Sequence, residues 1–329
     1  MAKSLKSLIL FLSILLLAFT LSSANSAEVS DSDTWRQIRE GIAGYSAVKG
    51  QETDVLIQGS GQNWRQLRND VIARYLGILV SLTLLFFGLF YFFRGPIKLT
   101  QSRTGITLLR WSTFERVIHW YTALVFILLT LTGLIILYGR SLLIPLIGHE
   151  LFSTLATYSK LTHNLSGPFF LIGLLFMFFM WVKDNIPNRI DIAWFKAFGG
   201  LIGSQHPSAE RMNAGEKSWF WLLAFAGIIV SATGLILDFA NFGQDRFIMQ
   251  VCHLLHTLSA CLLMIGAIGH IYIGTLGTEG AFEGMKNGRV DSTWAKQHHD
   301  LWYDKIKEKE LTQIKSKTSD KRDKRKRKK

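Results

Sequence analysis

Cysteine, proline and charge are scarce in this chain. Its 329 residues hold 2 Cys and 5 Pro, and only 19% are Asp, Glu, Lys or Arg. Two cysteines cannot build a disulfide framework. Cys252 and Cys261 are nine residues apart on one apolar stretch, about 900° of helical turn, so they face opposite sides and do not bridge each other. No C-x-x-C-H run occurs, which excludes a covalent c-type haem, and two cysteines are too few for an iron–sulfur cluster. Phosphate-cradling Gly loops and hydrolase motifs are missing as well. Soluble domains carry charge on about a quarter of their residues. Here the charged share is lower, and the apolar share is 49%. That composition excludes a disordered or collagen-like chain.

What charge there is leans basic: 37 Lys+Arg against 24 Asp+Glu, a net +13. Residues 301–329 alone hold 13 basic and 5 acidic side chains. Such an excess first suggests nucleic acid or an anionic membrane surface. The long apolar runs decide between them. Residues 1–27 read as a signal peptide: Lys3 and Lys6, an apolar run from Leu8 to Phe19, then small residues through Ala27. Five further apolar stretches follow, at 71–93, 117–138, 162–182, 218–240 and 251–275. Each reaches the length of about 20 residues that spans a bilayer. No internal repeat is evident between them.

The loops give the orientation. Residues 28–70 hold five basic and seven acidic side chains, 94–116 five basic, 139–161 two, 183–217 five and 239–250 one. Poor and rich loops alternate, so the mature N-terminus is expected outside and the C-terminus in the cytoplasm. The expected fold is an all-α integral membrane protein with five transmembrane helices, four of them a bundle. Its segments are a signal peptide (1–27), an outside segment (28–70), an extra helix (71–93), a cytoplasmic linker (94–116), the four-helix domain (117–275) and a basic tail (276–329). Because the positive residues sort by membrane side, no nucleic acid is expected. The tail suits anionic lipid headgroups.

Of nine histidines, His119, His163, His253, His256 and His270 lie in or at the ends of apolar stretches. Ionisable side chains inside a membrane are costly and mark function. His256 and His270 are 14 residues apart on the fifth helix, about 21 Å along its axis and 40° short of four whole turns. They therefore face the same interior near opposite membrane surfaces. His119 opens the second helix from inside, and His163 opens the third from outside. Depth pairs His119 with His270 and His163 with His256. Two facing imidazoles at two depths suit two b-type haems, each iron ligated from both sides. Gly133, Gly167, Gly234 and Gly266 are candidates for close approach to the macrocycles. His253 is at most an alternative ligand at the helix mouth, and His298 and His299 are expected to be solvated or interfacial. The turn Asn213-Ala214-Gly215-Glu216-Lys217 precedes the fourth helix at the level of His270. It suits either a docked quinone or a plain capping box, with Asn213 and Glu216 three residues apart.

These residues resemble a known family. FERVIHWYTALVFILLTLTG (114–133), LTHNLSG (161–167), DNIPNRIDIAW (184–194), NAGEK (213–217), the run from His253 to Val290 and WAKQHHDLWYDKI (294–306) are similar to the cytochrome b (gamma) subunit of respiratory formate dehydrogenase. The resemblance covers 114–306. It implies that His119 and His270 ligate a cytoplasmic-side haem and His163 and His256 a periplasmic-side haem. It places the site for menaquinone or ubiquinone at Asn213, Gly215 and the neighbourhood of His270. It implies two partner subunits outside the bacterial inner membrane: a molybdenum or tungsten catalytic subunit and an iron–sulfur subunit. Residues 28–113 are similar to a longer form of the family, in which Trp35, Trp64 and Arg65 are candidates for partner contact. Two alternatives stand beside this reading. One is the cytochrome b subunit of a nickel–iron hydrogenase or another molybdenum oxidoreductase. The other is a haem-free membrane anchor.

Overall fold

The computed structural model describes residues 59–200 and 206–308. The signal segment, the outside segment up to residue 58 with Trp35, and the tail beyond residue 308 lie outside the described residues. A short helix α1 (Gly59–Gln66) runs through a π-helical stretch, Leu67–Ala73, into α2 (Arg74–Arg94). Four long helices follow: α3 (Thr113–Leu142), α4 (Ile144–Trp181), then, after the short α5 (Arg189–Lys196), α6 (Ala214–Asp238) and α7 (Arg246–Tyr272). Five helices among the described residues are long and apolar enough to cross a membrane; four contain an expected stretch whole, and the fourth, Ala214–Asp238, ends two residues before its expected end at 240. The third begins much earlier than its apolar run. Gly148, at φ 77°, marks a kink, and 149–161, expected as a loop, are helical. That segment has neither Gly nor Pro to stop a helix.

The side chains sort in the order a lipid solvent demands. Phe93, Phe179 and Leu124 are 79%, 73% and 64% exposed, while Thr122, Thr132, Ser231, Thr233 and Ser259 are buried. Water would not tolerate so large an apolar surface. In lipid, small residues let helices approach, and every polar group must find a partner within the protein. Several hydroxyls do so, Ser81 donating to Gly77 O, Thr122 to Ile118 O and Thr257 to His253 O, each at 2.8 Å, while Ser231 Oγ is buried without a partner. The chain is a helical membrane protein.

Two compact units share these helices. The first draws on α1, α2, Leu124–Leu171 and Ala226–Ile268. The second draws on Gly95–Ala123, Ile172–Phe225 and the chain from Gly269. The second unit also contains a folded polar cap. Strand β1 (Thr107–Leu109) pairs antiparallel with β2 (Arg289–Asp291), with Leu108 opposite Val290. Helix α8 (Ala281–Asn287) precedes β2, and α9 (Ser292–His298) and a further helix, 300–308, follow it. The Asp291 carboxylate accepts from Gly105 N at 2.9 Å and Thr293 N at 2.8 Å, tying β1's approach to the start of α9. Val290, Trp294, Ala295 and Trp302 form the cap's apolar core. The segment expected as a linker is thus half of a folded element.

Buried charges lock the cap to the loops around it. The Arg110 guanidinium lies over the rings of Trp111, Trp294 and Trp302 at 5.0–5.4 Å and donates to Glu216 at 3.0 Å. Arg211 bridges Glu115 at 2.6 Å and Asp184 at 2.5 Å. Lys217 holds Asp191 at 2.9 Å. His299 is not solvated as expected but is 1% exposed, and its Nδ1–H donates to Glu210 O at 2.7 Å. His299 caps the end of α9, and the chain there folds back onto the cap's core, which sequence spacing alone did not show.

Burial, with the Arg110 charge beside it, holds His299 well below the usual imidazole range. Burial, then neighbouring His206, pushes His298 down to about 4. Unfolded, both rings titrate near 6.5. The unfolded chain therefore binds more protons below that value, and the cap is stable above it and weakens as pH falls from 6.5 towards 4. Thermal unfolding in detergent should show a falling midpoint across that window. His299→Asn keeps a donor for Glu210 O and should remove about one proton, or about 1.4 kcal/mol per pH unit, from the slope.

Candidate functional site

Each unit brings together two of the histidines singled out in the sequence. In the first unit His163 of α4 faces His256 of α7, ring centres 6.1 Å apart and planes crossed at 67°. In the second, His119 of α3 faces His270 of α7, also at 6.1 Å, with planes crossed at 54°. The equal spacing has a chemical meaning. An imidazole nitrogen ligates a first-row metal at about 2 Å and lies about 1 Å from its ring centre, so two rings on opposite sides of one iron have centres about 6 Å apart. Among the described residues no group of three or more His, Cys, Asp or Glu is gathered for a bare metal ion. The pairs fit an iron whose other four ligands come from a macrocycle.

The first-unit rings are clasped by neighbouring helices in the same way. Thr132 Oγ1 lies 3.0 Å from His163 Nδ1, and Thr233 Oγ1 lies 3.3 Å from His256 Nδ1. Each hydroxyl donates its one proton down its own helix, Thr132 to Leu128 O at 2.8 Å and Thr233 to Ile229 O at 2.6 Å. Only a lone pair is left for the ring, so Nδ1 carries the proton in both histidines. At His256 the Val230 carbonyl, 2.9 Å away, can only accept and fixes the same tautomer. Nε2 of each ring then keeps its lone pair free to bind a metal. The next residue in each clasp is glycine. A Cβ on Gly133 would stand 3.2 Å from His163 Cε1, and one on Gly234 would stand 3.1 Å from His256 Cε1. Thr132 and Thr233 were missed in the sequence. The signal was there as a repeat, Thr-Gly-Leu-Ile at 132–135 and again at 233–236. Of the other expected glycines, Gly167 faces open space.

The second-unit rings have different surroundings. His270 is stacked under Trp219, centres 5.3 Å apart and planes within 18°. His119 Nδ1 is buried without a hydrogen-bond partner. Nearby in sequence, Asn213 and Glu216 form the reciprocal capping box: Asn213 Oδ1 accepts from Glu216 N at 2.9 Å, and Glu216 accepts from Asn213 N at 2.8 Å. Gly215 lies against Trp194, whose ring a Cβ there would meet at 2.9 Å. The turn is therefore a helix cap with an aromatic wall. His253 sits apart from both pairs, edge-on to Trp64 at 5.9 Å.

A sequence profile for prokaryotic cytochrome b561 matches residues 110–288, more than half of the chain. The chain belongs to the prokaryotic cytochrome b561 family. Membership brings haem b and membrane electron transfer with it, and the matched region contains all four paired histidines. Among the relatives of this cytochrome is the cytochrome b556(Fdn) subunit of the nitrate-inducible formate dehydrogenase of Escherichia coli. It is 30% identical over 211 residues, 62% of this chain and 93% of the relative. The cytochrome b556(fdo) subunit of an Escherichia coli formate dehydrogenase is 28% identical over 205 residues, 61% and 94% of the two chains. The cytochrome b556 subunit of formate dehydrogenase from Haemophilus influenzae is 27% identical over 201 residues, 60% and 82%.

The clasp makes a packing prediction. Each ring is bonded to the helix whose glycine it touches, so it cannot retreat from an added methyl without losing that bond. Gly133→Ala and Gly234→Ala should each destabilise the protein by about 1 kcal/mol. Gly167→Ala, with nothing within 4 Å, should be neutral. Thermal melts of the three variants in detergent decide it.

Proposed function

We propose that this chain is the cytochrome b subunit of a formate dehydrogenase, and that it carries electrons through two b haems to a quinone. The observation that carries the reading is the pair of imidazole sandwiches with equal spacing. Its relatives' names supply the enzyme. His163 and His256 would hold the haem near the outer face of a bacterial inner membrane, and His119 and His270 the haem near the cytoplasmic face. The alternation of basic loops supports that orientation. Bound haem supplies a one-electron couple at each site.

The chain's own residues do the rest. The four imidazoles stay neutral because protonation would take the lone pair the iron needs. The lipid-facing Phe and Leu side chains exclude water from both sites. Formate oxidation to carbon dioxide releases one proton and two electrons in a catalytic molybdenum or tungsten subunit, and an iron–sulfur subunit hands the electrons on, one at a time, at the outer face. Quinone takes two electrons and two protons near the cytoplasmic face, by way of the Asn213–Gly215 turn beside Trp194 and Trp219. Asn213 uses its Oδ1 on the helix cap, which leaves its amide NH2 to donate to a quinone carbonyl. Release of protons on one face and uptake on the other builds a proton-motive force.

Purification in mild detergent should yield two haems per chain, together with a molybdenum or tungsten enzyme. His256→Ala and His119→Ala should each retain one haem by pyridine haemochrome assay. Two haems in both variants, or co-purification with a nickel–iron enzyme, would contradict the reading. For the quinone, Asn213→Asp keeps the cap acceptor but removes the donor. Both haems should remain, while kcat/KM for quinone falls about tenfold, the worth of one hydrogen bond.

A further inference from the structure

The two imidazole pairs differ in one respect that ring spacing does not explain. Both Nδ1 atoms of the first unit's pair are hydrogen-bonded to oxygen. In the second unit's pair His119 Nδ1 is buried without a partner, and His270 has an aromatic face against it instead. We propose that Thr132 and Thr233 are positioning residues that set the reduction potential of the His163–His256 site below that of the His119–His270 site. The proposal rests on the haem-ligand reading above.

The chemistry follows from the proton each ring keeps. An Nδ1–H that donates to oxygen pushes electron density through the ring to Nε2 and makes it a stronger ligand. A stronger donor favours the ferric over the ferrous iron, because the ferric ion carries the larger charge. The site with both rings so engaged is harder to reduce. The site with a bare Nδ1 is easier to reduce. One electron moving from the first to the second therefore runs downhill, and no proton moves with it because both Nδ1–H bonds persist.

The Thr hydroxyls suit this role better than carbonyls alone would. Each is itself polarised by donating to its own helix, Thr132 also reaching Leu129 O at 3.1 Å and Thr233 Val230 O at 3.2 Å. The Gly that follows each Thr lets the ring come within reach of the hydroxyl. Each ring also has a carbonyl partner on the clasping helix, Val230 O at 2.9 Å from His256 Nδ1 and Leu129 O beside His163. Loss of either Thr should therefore weaken the clasp on its ring without freeing it.

The test is a spectro-electrochemical titration of the detergent-purified holoprotein. His119→Ala leaves only the His163–His256 centre and identifies its α-band. That centre should have the lower midpoint potential of the two in the wild-type protein. Thr132→Val should raise it by roughly a tenfold change in the ferric-to-ferrous ratio, about 59 mV for one electron. Thr233→Val should raise it likewise, and Thr132→Ser and Thr233→Ser should restore the wild-type value. The other centre should not move. A higher wild-type midpoint for the His163–His256 centre overturns the proposal, with or without the variants. So does an unmoved midpoint in a Thr132→Val protein that retains both haems. Failure of the ligand reading itself shows separately, as two haems remaining in His256→Ala.

Discussion

A histidine inside an apolar membrane protein must be neutral, and both its nitrogens need an occupation. Most features of this chain answer that constraint. At His163 and His256 one nitrogen is engaged by Thr hydroxyls that are themselves anchored to helix carbonyls. That leaves the other nitrogen of each ring with a free lone pair. Two such rings, centres 6.1 Å apart, fit the span of one iron without any charged residue. The membrane-spanning helices can then remain almost free of ionised groups in their middles, which is why charge is so scarce in the sequence.

Among the described residues the buried charges lie in the second unit, in its cap and the loops around it. There Arg110 is stacked among three tryptophans, and Arg211 and Lys217 are each paired with carboxylates. Glu216 joins the two jobs of that region. It completes the helix cap with Asn213 and receives Arg110. The turn proposed to meet quinone is therefore held rigid by the same carboxylate that anchors the cap. A rigid turn with one unspent amide edge positions a ligand better than a loose one would.

Among the described residues, helix existence, helix number and histidine pairing were legible in the sequence, because lipid thickness fixes length and position along the apolar runs fixes partners. His119 and His270 could be matched from their positions along two apolar runs alone. Other features were not legible. The cap depends on the pairing of residues about 180 positions apart, Leu108 with Val290, and no local pattern announces it. His299 read as surface because its neighbours Lys296 and Asp300 are polar. Its burial depends on Trp294 and Trp302 closing over it, which is a tertiary effect. The Thr-Gly clasp was present as a short repeat, but a four-residue repeat carries little weight until the structure puts both copies against imidazoles. The early start of α4 was missed because hydropathy marks only the part of a helix that lies in lipid.

The central claim is that each histidine pair holds one haem iron by both rings. Electron paramagnetic resonance of the oxidised, detergent-purified protein tests it most directly. Two low-spin ferric signals of bis-imidazole type, each equal to one spin per chain, are the expected result. A high-spin signal, a spectrum of mixed axial ligation, or a single low-spin centre in protein with its full haem complement would contradict the account.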